Sequence, residues 1–236
     1  MNLSREHLIT LAVVAAAITV LVAAARLYPG RWTIGFARVL AVVILVNEAS
    51  WWVWLAEQHA LSITYSLPLQ LCDVAAVITA CALWFRTPLL VELTYFWGVA
   101  GTANGLITPD VGGAHFPSYP YVQYFVQHGA IVGAALFLVV GLMIAPRPWA
   151  VVRVYGLTLC LLVVDAVANL LTDGNYMYLR QTPGVRSVLN LMGPWPWYIA
   201  GGAVLSAILF LVLDLPFRIS ARGHARSKSA QYPPPA

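Results

Sequence analysis

The strongest constraint in this sequence is its repeated apolar runs of about 17 to 25 residues, the length that carries an α-helix across roughly 30 Å of hydrocarbon. They lie near 8–25, 33–55, 67–84, 88–106, 121–144, 151–171 and 197–214. In lipid, every backbone N–H and C=O must be satisfied inside the protein, so segments of this kind fold as helices. The alternating ten-residue pattern of a β-barrel does not occur. Only 9% of the residues are charged and 61% are hydrophobic, against about 25% charged in soluble domains. The bilayer is therefore the solvent for most of the surface. The expected fold is all-α, a polytopic membrane protein with seven transmembrane helices in one domain, 1–217. A basic and then Pro-rich segment, 218–236, is expected to be a disordered cytoplasmic tail beside anionic lipid.

The first run follows Arg5 and ends in small residues, as a cleaved signal does, but it exceeds the usual h-region of about 7 to 15 residues and is read as a retained span. With the N-terminus outside, Arg26, Arg31, Arg86, Arg147, Arg153, Arg218, Arg222, Arg226 and Lys228 fall on the cytoplasmic side. The outer side keeps Arg5, Arg180 and Arg186. The excess of cations predicts an N-out, C-in, multi-pass protein of the cell membrane. The two long connections, 107–120 and 172–196, then lie outside and are rich in Gly, Pro, Tyr and Trp. Cys72, Cys81 and Cys160 are an odd set within apolar runs, so no disulfide framework is expected.

Ionisable groups inside a span are costly, so their depth is informative. Asn47 and Glu48 lie near the outer end of span 2, and Gln70, Cys72 and Asp73 begin span 3. Asn104, Thr108 and Asp110 end span 4, Gln123, Tyr124, Gln127 and His128 begin span 5, and Asp165 and Asn169 lie one turn apart in span 6. A rise of about 1.5 Å per residue puts them at one depth in the outer third of the bilayer. They are expected to line a polar cavity open to the outside, above an aliphatic inner half where Glu92 would pair with Arg38 or Arg86. Helix-to-helix hydrogen bonding is the simpler reading for each asparagine taken alone. Gly98, Gly101 and Gly105 give span 4 a small-residue packing face.

Cys72 and His128 form the one Cys/His combination at matching depth. Pro68 suits the first turn of span 3 and would put Cys72 near a helix N-terminus, where the dipole favours an anion. His128 would act as base, its imidazole oriented by Asp73, Glu48 or Asp165. Successive helical residues are turned by about 100°, so Cys72 and the Gln70 and Asp73 pair would not face one point together. No cofactor is expected, and no metal, because the histidines lack helical i, i+4 pairing. The single lysine, Lys228, sits in the tail and excludes a retinal Schiff base, and no nucleic-acid patch is visible.

The segments Leu67-Pro68-Leu69-Gln70-Leu71-Cys72, Glu92-Leu93-Thr94-Tyr95-Phe96-Trp97-Gly98, Thr108-Pro109-Asp110, Phe125-Val126-Gln127-His128-Gly129, Asn175-Tyr176-Met177-Tyr178-Leu179 and Gly193-Pro194-Trp195-Pro196-Trp197-Tyr198 resemble the YwaF-like family of bacterial integral membrane proteins over roughly 35–210. Eukaryotic relatives of that family are acyltransferases that remodel phospholipids through a cysteine. The resemblance implies that Cys72 is the acyl-accepting nucleophile, with His128 its partner and membrane phospholipid the substrate. Position 70 is often histidine in that pattern, and Gln70 departs from it. The alternative from another class is a non-enzymatic binder or transporter of a small molecule or lipid, in which Glu48, Asp73 and Asp165 relay protons.

Overall fold

The computed structural model describes residues 4–231 apart from Arg186, with side chains given to Ser220. What the sequence predicts for the 218–236 tail falls mainly outside those side chains. The described residues are helical, with no strand. Helix α1 (Arg5–Leu27) begins at Ser4, whose hydroxyl accepts from the His7 amide at 3.1 Å and caps the first turn. Helix α2 is Trp32–Glu57. A loop then holds 58–70, and α3 (Leu71–Phe85) starts four residues later than the apolar run suggests. The reason is local. Pro68 lacks an N–H and disfavours helix at the residue before it, and Gln70 is extended (φ −66°, ψ 147°) as the N-cap. Pro68 thus precedes the helix rather than sitting in its first turn.

Helix α3 stops at Arg86, which turns left-handed (φ 53°), and Thr87 is extended before Pro88 opens α4 (Pro88–Phe96). Helix α4 runs through a π-helical stretch, Trp97–Thr102, into α5 (Ala103–Ile107), so that one rod covers 88–107. Helix α6 (Tyr119–Leu136) continues through a second π stretch to Gly141. Helices α7 (Ala150–Thr172) and α8 (Trp197–Gln231) complete the order, separated by a long connection with two short 3-10 turns. Five of these helices are long and apolar enough to cross a membrane: α1, α2, α6 with its π extension, α7 and α8 to Ser220. Helix α3, at 15 residues, is about 22 Å long.

Helices α3, α4 and α6 form the interior, where Ala75, Ala76, Leu83, Phe96, Ile131 and Leu138 are fully buried. The outer helices turn aliphatic side chains outward, among them Val20, Val53, Leu170 and Val212, an apolar coat suited to lipid. Helix α1 lies against the glycines of α6. A Cβ at Gly129 would stand 3.1 Å from Val14 and one at Gly141 3.1 Å from the Ala25 Cβ, so these glycines permit the close approach.

The predicted pairing of Glu92 with Arg38 or Arg86 is corrected. Glu92, 1% exposed, accepts from Arg147 Nε at 2.9 Å and Arg153 Nη2 at 2.8 Å. Arg38 instead lies over the Trp84 ring at 5.5 Å, and Arg86 donates to the Thr33 carbonyl. Both guanidinium forks reach Glu92 from the α6–α7 connection and the first turn of α7, which places them opposite the N-terminal part of α4.

Candidate functional site

Cys72 is the second residue of α3, within its first turn. Its Sγ donates to Asp73 Oδ1 at 3.5 Å, while Asp73 Oδ2 accepts from the Gln70 amide at 3.2 Å. Asp73 therefore does two tasks, closing one half of a capping box and touching the thiol. Because Gln70 is a non-helical cap, the 100° rule does not govern it. Gln70 Oε1 accepts from the Met177 amide at 3.0 Å, tying the α7–α8 connection to the start of α3.

Helix α6 brings Tyr124, Gln127 and His128 to the same level. The His128 ring stacks on Tyr124 with centroids 3.9 Å apart, and its Nδ1 lies 2.9 Å from the Tyr124 carbonyl. A carbonyl only accepts, so Nδ1 carries the proton and Nε2 keeps its lone pair. Nε2 makes no hydrogen bond among the described residues and faces Gly105, where an added Cβ would stand 2.9 Å from it and 2.7 Å from Cδ2. The Tyr124 hydroxyl donates to the Gly105 carbonyl at 3.0 Å and is within Coulombic range of Cys72. The thiol and the imidazole are not hydrogen-bonded to each other among the described residues.

Among the described residues no carboxylate hydrogen-bonds His128, contrary to expectation, and the carbonyl one turn back holds Nδ1 instead. Glu48 Oε2 accepts from Gln127 Nε2 at 2.8 Å, and Gln127 Oε1 accepts from Asn47 Nδ2 at 2.6 Å. This chain fastens α2 to α6. Asp165 is fully buried, and both its oxygens are without a hydrogen bond among the described residues. Glu48 and Asp165 each lie within Coulombic range of Asp73. Asn169 is spent on structure: its amide donates to the Tyr176 carbonyl at 3.0 Å and accepts from the Tyr176 N–H at 2.7 Å. Asn104 is exposed and does not join the cluster. No group of three or more His, Cys, Asp and Glu side chains is arranged to hold a metal among the described residues.

Two cavities adjoin this cluster, and neither is the polar cavity expected from depth, since Cys72, His128 and the three carboxylates line neither. An apolar one of about 190 Å³ is bounded by Leu71, Trp97, Leu162, Met177, Leu189 and Phe210. A polar one of about 390 Å³ is bounded by Thr64, Gln70, Asn175, Tyr178, Arg180 and Gln181. Tyr178 borders both, and its hydroxyl donates to Asp110 Oδ2 at 3.1 Å. Burial and the Asp110 charge push that hydroxyl above its ordinary range. Sequence reasoning by depth missed Tyr176, Tyr178, Arg180 and Gly105. The aromatic and polar composition of 172–196 was the available signal for the first three. Nothing short of packing marks Gly105 as the residue that makes room for an imidazole.

A model of the TMEM164 family matches residues 2–214, and the chain belongs to that family of transmembrane proteins. The match does not carry the narrower YwaF-like label read from the motifs. No curated protein and no solved structure matches the chain.

Proposed function

We propose that this member of the TMEM164 family is a multi-pass cell-membrane protein with seven spans, N-terminus out and C-terminus in, that transfers or hydrolyses a phospholipid acyl group through Cys72. What supports the reading is a thiol in the first turn of α3, Cys72, and a histidine, His128, whose Nδ1 is held by the Tyr124 carbonyl so that Nε2 is left as a proton acceptor. Sγ attacks the ester carbonyl carbon, and the thiol proton passes to His128 Nε2, through Tyr124 or one water across the gap. The ester C–O bond breaks, and the lysolipid oxygen leaves with that proton. The thioester is then attacked by a second lipid hydroxyl or by water, whose proton returns through His128 to the departing thiolate. Asp73, on the thiol, is a positioning residue.

The test supplies purified protein with a phospholipid labelled in its acyl chain. Labelled thioester on the wild type, its absence in Cys72→Ala, and a fall of at least a hundredfold in His128→Ala are expected, within the span of about 10² to 10⁴ for general acid–base catalysis. Undiminished transfer by Cys72→Ala ends the nucleophile reading.

One observation favours a second reading, a binder or transporter that moves protons on Glu48, Asp73 and Asp165: the Asp165 carboxylate is buried with no hydrogen bond among the described residues. In that case Cys72→Ser leaves function intact, while Asp165→Asn abolishes pH-dependent flux in proteoliposomes.

A further inference from the structure

The polar cavity contains a cation held by one corner. Arg180 Nη1 donates to the Asn169 carbonyl at 3.3 Å, to Asp173 Oδ1 at 3.2 Å and to the Gly174 carbonyl at 3.5 Å. Its backbone is fixed as well, by Asn175 Oδ1 at 2.9 Å. The other edge of the guanidinium, Nε and Nη2, makes no hydrogen bond among the described residues. That edge is the planar fork that grips an oxyanion with two parallel bonds. Asp173 offsets little of the charge, because its side chain is 90% exposed and solvent screens it.

The segment bearing this cation is anchored to the candidate site. Asn169 clamps the Tyr176 backbone, the Tyr176 hydroxyl donates to the Ile63 carbonyl and accepts from the Leu67 amide, and Met177 is held by Gln70. Neighbouring residues at the start of α3 border the two spaces. Gln70 borders the polar cavity, Leu71 borders the apolar one, and Cys72 follows directly. Tyr178 is the partition between the two spaces. A polar space with an open guanidinium fork beside an apolar one matches an amphiphile with an anionic group at one end and hydrocarbon at the other.

We infer that the cavity at Arg180 is a phosphodiester site: the Nε and Nη2 edge binds the phosphate of a lipid headgroup while the hydrocarbon enters the apolar cavity behind Tyr178. The assignment rests on the lipid reading above but not on Cys72 chemistry. The headgroup is held by charge-assisted bonds and the chain by burial, so the two parts are separable by experiment.

The test measures binding of a labelled diether phosphatidylcholine, which offers no ester to Cys72, to the full chain in neutral detergent. The comparison lipid is the phosphate-free diether glycerol with the same chains. Wild-type protein should prefer the phospholipid at least tenfold. Arg180→Gln should erase that preference while leaving the diether glycerol bound as before, and Arg180→Lys should keep part of it, since a lysine supplies charge without the fork. Inorganic phosphate at millimolar concentration should compete poorly. A preference that survives Arg180→Gln overturns the assignment, as does equal loss of both lipids, which would mark Arg180 as structural. Phosphate that competes as well as the lipid makes this a site for free oxyanions and overturns the headgroup reading. If the preference behaves as expected while Cys72→Ala still transfers acyl groups, the headgroup site stands and the nucleophile falls.

Discussion

At the scale of single residues, Gly105 and Asp165 show opposite ways for a position to matter. Gly105 is defined by what cannot be added to it, since a methyl group there meets the His128 ring and the Tyr124 hydroxyl, all within 3 Å. Gly105→Ala should therefore displace the imidazole, with about 2 kcal/mol of overpacking strain. The expected result is a lowered melting temperature and an acyl-transfer rate down at least tenfold, whereas unchanged kinetics would separate His128 from the chemistry. Asp165 is defined by what it lacks. Both oxygens are buried and lack a hydrogen bond among the described residues, a costly condition for a charge. Asp165→Asn keeps the shape and removes the charge, so the melting temperature should stay level or rise, and a clear fall would reveal a partner for the carboxylate. Neither behaviour is readable from residue type: a glycine in an apolar run looks like packing, and an aspartate there looks like a site.

Among the elements, the connection between α7 and α8 behaves as a structural part rather than a free loop. Tyr176 is 1% exposed, and its hydroxyl satisfies the Ile63 carbonyl at 2.6 Å and the Leu67 amide at 3.0 Å. It thereby closes the 58–70 loop that leads into α3. Tyr176→Phe leaves both backbone groups unpaired at a cost of about 2 kcal/mol, and limited proteolysis should then cut within 173–196 faster than in the wild type. Helix boundaries were largely legible from the apolar runs alone, and Pro88, Pro120 and Ser4 fix three of the starts in the structure through local backbone geometry. The start of α3 was not legible. Leu67 and Leu69 extend the apolar run, yet hydropathy carries no information about where a backbone leaves the helical region, and Pro68 with the extended Gln70 decides it.

For the whole molecule, the polar groups gather at two ends with an apolar interior between them. At one end is the cluster around Cys72, and at the other Glu92 joins α4 to Arg147 and Arg153, while Arg218 of α8 reaches the Arg147 carbonyl at 2.7 Å. Glu92→Gln keeps an acceptor oxygen but removes the charge that both guanidinium groups face, so it should lower the melting temperature. Because Arg147 and Arg153 are partly exposed, added salt should narrow the difference between variant and wild type. The proposed orientation puts these ends on opposite sides of the membrane. In a variant lacking the exposed Cys160, a cysteine at Gln181 should react with an impermeant maleimide on intact cells, and one at Trp149 only after lysis. The reverse pattern would overturn N-out, C-in.

The sequence alone determined that this chain is an all-helical membrane protein and where its helices begin and end to within a few residues, save the end of α8, which runs on to Gln231. These properties follow from hydropathy, rise per residue and local backbone restriction, which need no knowledge of neighbours. Partner choice belonged to the tertiary structure. It gave Gln127 to Glu48, Glu92 to two arginines of the α6–α7 connection and α7, and both amide groups of Asn169 to a loop tyrosine, whereas the Cys72–Asp73 and His128–Tyr124 bonds are each local to one helix. A hydrogen bond is short and directional, so a common depth brings groups only near one another. The rotation and separation of the helices settle which pairs meet.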